Sequence, residues 1–242
     1  MQVDILGSRS MRRSSKGEKV GKVCIPIIET TIKNALQAIK KANRVADLVE
    51  LRMDYLKKPE LTPLLKDRQK PFIVTFRRSE EGGRYKGDQK RRKTVFKEAI
   101  DLGTEYVDVE MRSDRSLLQN LIENKNGTKI ILSFHDFRGT PSPTELKGLF
   151  DRMMQWGADV IKIVTFARSW EDNLTVLSLI PYAGNRKQKI VTFCMGEKGK
   201  MSRVFSPMMG AAWTYAALSE KQTSAPGQLT VEEIKEIWKR LK

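Results

Sequence analysis

The sequence predicts an α/β fold, a single (β/α)8 barrel of the TIM type, on three observations. Seven short runs rich in β-branched and apolar residues recur along the chain, starting at Lys22, Leu48, Phe72, Tyr106, Lys129, Asp159 and Lys189. Their starts lie 26, 24, 34, 23, 30 and 30 residues apart. Each gap holds one helix and two loops, the pattern of parallel strands joined by helical crossovers. No GxGxxG follows the first run, where a doubly wound dinucleotide-binding sheet would carry its phosphate loop.

The elements follow in order. KVCIPII from Lys22 reads as the first strand, and TIKNALQAIKKAN then sets Ile32, Leu36 and Ile39 at helical spacing. LVELRMD from Leu48 and FIVTFR from Phe72 are the next strands. KTVFKEAIDLG places Val95, Phe96, Ala99 and Ile100 on one helical face and stops at Gly103. YVDVEM and KIILSF are strands four and five, and TPSPTELKGLFDRMMQWG is a helix with a Ser/Thr-rich start and a stop at Gly157. After the strand DVIKIV, the helix WEDNLTVLSLI is expected to end before Pro181, ahead of the seventh strand, KIVTFC. The eighth unit is less distinct: RVFSPMMG reads as a short strand, MGAAWTYAALSE as a helix and TVEEIKEIWKRL as the terminal helix. Residues 1–21 form a basic lead-in that could close the bottom of the barrel, and residues 22–242 form the barrel itself.

Composition narrows the function. With 40% hydrophobic and 31% charged residues the chain can bury a sizeable core. No apolar run approaches the ~20 residues of a membrane span, and no hydrophobic signal core follows the basic N-terminus, so a cytoplasmic enzyme is expected. Cys24 and Cys194 lie in strand-like segments and fit neither a metal-ligand spacing nor a disulfide framework. With one histidine in the chain, no zinc or transition-metal site is expected. The net charge of +16 invites a nucleic-acid partner. Yet the densest basic run, RYKGDQKRRK from Arg84 to Lys93, carries no aromatic ladder and no binding motif. It reads as a solvated loop and helix start, with attraction of a negative substrate as the alternative.

Barrel strands point alternate side chains into a packed interior, so charges within them are informative. Glu50 and Arg52 lie late in the second strand, Arg77 ends the third and Glu110 the fourth. His135, the single histidine, follows the fifth strand, and Lys162 lies inside the sixth. All fall toward carboxyl ends of strands, where such barrels place active sites. Burial of Lys162 among Val and Ile would disfavour its charged form, leaving an amine able to form an imine with a carbonyl. The alternative is an ammonium paired with a glutamate such as Glu110. His135, on the preceding strand, suits a group that both accepts and donates a proton near neutral pH.

Six motifs together resemble the type I 3-dehydroquinate dehydratases, the Schiff-base enzymes of the shikimate pathway. They are ELRMD at Glu50, TFRRSEEGG at Thr75, YVDVE at Tyr106, SFHDF at Ser133, ADVIKIV at Ala158, and MGEKGKMSR running into SAPGQL. The resemblance spans Lys22 to Leu229. It implies conversion of 3-dehydroquinate to 3-dehydroshikimate with loss of water, with no cofactor, no nucleic-acid or membrane partner, and a homodimer. By the family pattern Lys162 forms the imine, His135 shuttles the proton and Glu81 assists His135. Glu81 is preferred to Glu80 because the family glutamate directly precedes the paired glycines Gly82 and Gly83. Glu50, Arg52 and Arg77 are implied to hold ring hydroxyls and Arg203 the carboxylate. Ser224, Ala225 and Gln228 complete a closing loop, and Met195, Phe137 and Tyr215 shape the pocket. Three positions depart from the pattern. Pro26 stands where some members carry a substrate-contacting serine, Phe193 where methionine is frequent, and Tyr215 where some members have phenylalanine. Another Schiff-base lyase, such as a class I aldolase on the same scaffold, is the competing reading.

Overall fold

The computed structural model describes residues 20–66 and 68–242; the lead-in expected at residues 1–21 lies outside them except for Val20 and Gly21. Eight parallel strands are present: β1 (Val23–Ile27), β2 (Leu48–Arg52), β3 (Phe72–Thr75), β4 (Tyr106–Glu110), β5 (Lys129–His135), β6 (Val160–Phe166), β7 (Lys189–Met195) and β8 (Thr214–Tyr215). Each pairs with its sequence neighbour from β1 to β7, and β8 pairs with β1. At the remaining seam, the Ala212 N–H just before β8 donates to the Ile190 carbonyl of β7 at 2.8 Å. The sheet is therefore a nearly closed barrel.

Helices cover its outside: α1 (Ile32–Val45), α2 (Thr62–Leu65), α3 (Gln89–Asp101), α4 (Arg115–Glu123), α5 (Pro143–Gln155), α6 (Glu171–Leu177), α7 (Leu179–Gly184), α8 (Lys200–Met208) and α9 (Val231–Arg240). Local chemistry sets their ends. Thr31 caps α1 by accepting from the Asn34 N–H, and capping boxes start α5 (Ser142 with Glu145) and α9 (Thr230 with Glu233). Val23, Ile25 and Ile27 of β1 pack outward against helices, while Cys24 belongs to the separate apolar group inside the barrel. This period-two split is what a strand buried on both faces requires.

Register and barrel stagger place the interior side chains in layers. Lys162 is opposite Ser133, Ser133 opposite Glu110, and Asp108 opposite Thr75, which pairs with Arg52. An eight-stranded barrel with a shear of about 8 shifts a horizontal layer by about one residue per strand. From Lys162 on β6, two strands back reach Asp108 rather than Glu110, and four strands back reach Glu50. Extending the count through β1 reaches Tyr215 on β8. The layer of β2, β4, β6 and β8 is therefore Glu50, Asp108, Lys162 and Tyr215. Beneath it lie Cys24, Ile73, Ile131 and Val191, and beneath those Leu48, Tyr106, Val160 and Trp213. Two largely apolar layers thus floor a charged one.

The model corrects the sequence reading at several places. RVFSPMMG is not a strand: α8 covers most of it, with Ser202 and Ser206 on its buried face and Phe205 exposed. MGAAWTYAALSE is not a helix, because Gly210 (φ +108°) ends α8 and Thr214–Tyr215 forms β8. The helix expected up to Pro181 is two: α6 ends at Leu177, ahead of the proline as expected, and Pro181 lies in the first turn of α7, where its missing N–H costs no helical bond. His135 is the last residue of β5, whereas Arg77 lies beyond the end of β3. Within the basic run, Arg92 is buried on α3, pairing with Glu110 and donating to the Phe76 carbonyl.

Candidate active site

A small cavity of about 60 Å³ opens above the charged layer, at the carboxyl ends of the strands. Lys162, His135, Glu81, Glu50, Arg52, Arg77, Arg203, Ser224, Ala225, Gln228, Met195, Phe137 and Tyr215 all line it, joined by Gly82, Val164 and Phe193. Pro26 is not among the lining residues. Cys24 and Cys194 are both buried free thiols.

Lys162 is 5% exposed. Its Nζ donates to Asp108 Oδ2 at 3.0 Å, lies 3.7 Å from Glu50 Oε1, and sits 4.3 Å from the centre of the Tyr215 ring. The expected alternative partner, Glu110, is engaged elsewhere, by Arg92, by Arg77 at 3.4 Å and by the Arg78 N–H at 3.0 Å. Asp108 escaped the sequence reading, although it stands two residues before Glu110 and shares its inward face. Burial works to raise the Asp108 pKa, but the Arg77 guanidinium and Lys162 outweigh it and hold the carboxyl below the usual range.

His135 ends β5 with Nδ1 3.0 Å from Glu81 Oε2, and its backbone N–H donates to the same oxygen at 3.2 Å. Burial, then the charges of Arg77 and Lys162, hold the imidazole pKa well below its ordinary value. The ring is therefore neutral, and its contact with Glu81 is a hydrogen bond rather than an ion pair. Burial also pushes Glu81 up to about 7 against the opposing pull of Arg77. Its second oxygen, Oε1, is buried and has no hydrogen-bond partner among the described residues. Of the two adjacent glutamates, Glu80 is turned outward to Arg78 at 2.8 Å.

The arginines differ in what they leave free. Arg77 is committed to Ser133 and Asp108, both at 2.7 Å. Arg52 makes a two-pronged bond to Asp54, with both N–H···O distances at 2.8 Å. Arg203 is 1% exposed, donates among the described residues only to the Pro226 carbonyl at 3.2 Å, and stacks 4.4 Å from the Phe193 ring centre. Among the described residues no acid pairs with it, its Nε has no partner, and burial lowers its pKa to about 10. That is a buried cation lacking a counter-charge.

The loop at residues 223–228 covers one side. The Ser224 N–H and Oγ donate to Gln228 Oε1 at 2.7 and 3.1 Å, and the Gly196 N–H donates to the Pro226 carbonyl at 3.1 Å. Gly227 has φ +70°, and a Cβ there would overlap the Gly196 carbonyl. Among the described residues no group of three or more His, Cys, Asp and Glu is placed to hold a metal ion, and no helix is long and apolar enough to cross a membrane.

Comparison with known proteins agrees with this geometry. Residues 23–242 match the family model for type I 3-dehydroquinase. The 3-dehydroquinate dehydratase of Pyrococcus abyssi is 40% identical over 215 residues, covering 89% of this chain and 96% of that protein. The Methanocaldococcus jannaschii enzyme of the same name is 36% identical over 220 residues, 90% of this chain and 97% of that protein. Among solved structures, the type I enzyme of Clostridium difficile, carrying covalently modified comenic acid, superposes with a TM-score of 0.84 at 27% identity over 93% of each chain. The dehydratase of Aquifex aeolicus gives 0.75 at 30% identity, covering 91% of this chain and 99% of that one. A family match over nearly the whole chain, laid on a barrel with a buried lysine and the single histidine in one cavity, leads to one conclusion: the chain belongs to the type I 3-dehydroquinase family.

Proposed function

We propose that this protein dehydrates 3-dehydroquinate to 3-dehydroshikimate through an imine on Lys162. Starting from the ammonium, Nζ passes one proton to the Asp108 carboxylate beside it and adds to the ring ketone. That proton and a second from nitrogen leave with the carbonyl oxygen as water, giving an iminium ion that keeps the third and withdraws electrons from the neighbouring carbon. His135, neutral in this site, removes a proton from that carbon, and the bonding pair moves into the iminium to form an enamine. The enamine returns the pair and expels the hydroxyl on the next carbon, which takes the proton from His135 and departs as water. Hydrolysis of the product imine frees Lys162. A low imidazole pKa favours the second transfer, because the transient imidazolium is then a strong acid.

Arg203 supplies the observation that carries the substrate assignment. A buried guanidinium with no acid beside it fits a ligand carboxylate, which it can grip with two parallel N–H···O bonds. Glu50 and Arg52 are suited to the ring hydroxyls, and Glu81 orients the imidazole. Arg77, with both terminal nitrogens committed, is better placed to hold Asp108 and Ser133 than to grip substrate. Ser224, Ala225 and Gln228 close over the ligand, and Met195, Phe137 and Tyr215 give the pocket its apolar walls.

Borohydride reduction in the presence of 3-dehydroquinate tests the reading. The expected result is a reduced adduct on the peptide containing Lys162, lost in Lys162→Ala and retained in His135→Ala, which nevertheless loses most turnover. An adduct on another residue, or dehydration with no trappable adduct, would refute the imine.

A further inference from the structure

The ELRMD segment ends in an aspartate for which the proposed chemistry has no use, yet its carboxylate is fully buried. Asp54 lies in the 3-10 turn Met53–Tyr55 directly after β2. Its Oδ1 accepts from Arg52 Nε at 2.8 Å, and its Oδ2 from Arg52 Nη2 at 2.8 Å. The same two oxygens also accept backbone N–H groups, Oδ1 from Arg77 at 3.4 Å and Oδ2 from Arg84 at 3.1 Å. Arg77 and Arg84 are the two ends of the loop that carries Glu81 to His135.

That loop is knotted at its neck. The Ser79 N–H donates to the Tyr85 carbonyl at 2.9 Å, the Gly83 N–H to the Arg78 carbonyl at 2.8 Å, and the Tyr85 N–H to the Arg77 carbonyl at 3.4 Å. A Cβ on Gly83 would overlap the Arg77 carbonyl, so the two sides of the neck lie in direct contact. Tyr55, next to Asp54, has the Arg52 and Arg84 guanidiniums 4.8 and 4.2 Å from its ring centre. The head of Arg52 and the neck of the Glu81 loop therefore share one carboxylate and one aromatic ring.

We infer that Asp54 is a positioning residue that couples the ligand-facing guanidinium of Arg52 to the loop holding Glu81 against His135. The physical reason is geometric. A carboxylate has about four lone-pair directions, and here all four acceptor contacts are spent on these two structures. Asp54 thereby orients Arg52, leaving its one remaining nitrogen, Nη1, for the cavity. It also fixes the loop ends from which Glu81 reaches the imidazole. An amide in its place carries one acceptor oxygen, and each oxygen of Asp54 holds one prong of the fork and one loop end, so Asp54→Asn must release one of each together.

The inference rests on the dehydratase reading for its kinetic half and on geometry alone for the rest, and the test separates the two. Steady-state kinetics with 3-dehydroquinate and amide hydrogen exchange are measured on the wild type, Asp54→Asn, Arg52→Met and Glu81→Gln, and on the doubles joining Asp54→Asn to each of the other two. Asp54→Asn is expected to raise KM and lower kcat, each by roughly tenfold. Its KM effect should disappear in the Arg52→Met background and its kcat effect in the Glu81→Gln background. Exchange at residues 77–85 should accelerate in both Asp54→Asn and Arg52→Met. Additive kinetic effects in both backgrounds, or unaltered exchange in Arg52→Met, overturn the coupling. Should Asp54→Asn fail to fold, the exchange pattern of Arg52→Met decides alone. A wild type that does not turn over 3-dehydroquinate while its variants loosen the loop would sink the dehydratase reading and leave the coupling standing.

Discussion

Glu81 folds against its own titration. Its carboxyl is pushed up to about 7 in the folded protein, against a reference of 4.5. Between those two values the folded chain binds more protons than the unfolded one, so the Glu81 contribution to stability is greatest below pH 4.5 and is lost as pH rises toward 7. Glu81→Gln removes this dependence. Urea unfolding of wild type and Glu81→Gln at pH 5 and pH 8 should show the variant gaining on wild type by roughly 1–3 kcal/mol across the interval. Parallel pH profiles would contradict it. Lys162, His135 and Glu50 were legible because a titratable side chain is unusual in a barrel strand or at its mouth, whereas Arg203 was reached only through the family resemblance. Asp108 and Asp54 stood in the quoted motifs and went unassigned: the partners of Asp108 are set across strands, and Asp54 joins its local partner Arg52 to backbone N–H groups of a loop 23 and 30 residues on. Lys162 reaches Asp108, not Glu110, since the stagger of a barrel displaces facing side chains by two residues over two strands, and no single strand displays that displacement.

At the scale of elements, the loop at residues 223–228 is held by close backbone approach rather than by side-chain packing. Gly227→Ala combines an unfavourable φ of +70° with a clash against the Gly196 carbonyl. The loop must shift, and with it the Pro226 carbonyl that positions Arg203. The expected result is a roughly tenfold rise in KM, with kcat changed less and the far-UV circular dichroism spectrum retained. An unchanged KM would show that the loop is not part of the ligand site. Elements with a clear apolar period were legible from sequence, including β1 to β7, α1, α3, α5 and α9. The eighth unit was not, for a physical reason. The buried face of α8 mixes Ser202, Arg203 and Ser206 with Val204 and Pro207, Ser202 accepting from the Cys194 N–H and donating to the Gly199 carbonyl. Polar residues at buried positions blur the hydrophobic period. β8 has two residues, too few to alternate.

For the molecule as a whole, the net charge of +16 and a carboxylate substrate predict steered encounter. kcat/KM for 3-dehydroquinate should fall about threefold between roughly 20 and 500 mM sodium chloride while kcat stays level; a flat kcat/KM would remove any role for the overall charge in capture. The barrel, its polar upper layer and the position of the cavity could all be anticipated from strand spacing and the charges set in the strands. The seam between β7 and β8 and the layer arithmetic needed coordinates. Arg203 carries one more implication. A guanidinium sealed from water without an acid raises the free energy of the empty protein, and an arriving carboxylate relieves it. The metabolite that feeds this enzyme would then also act as its preservative, protecting filled copies from heat and proteolysis and leaving idle ones to be cleared first.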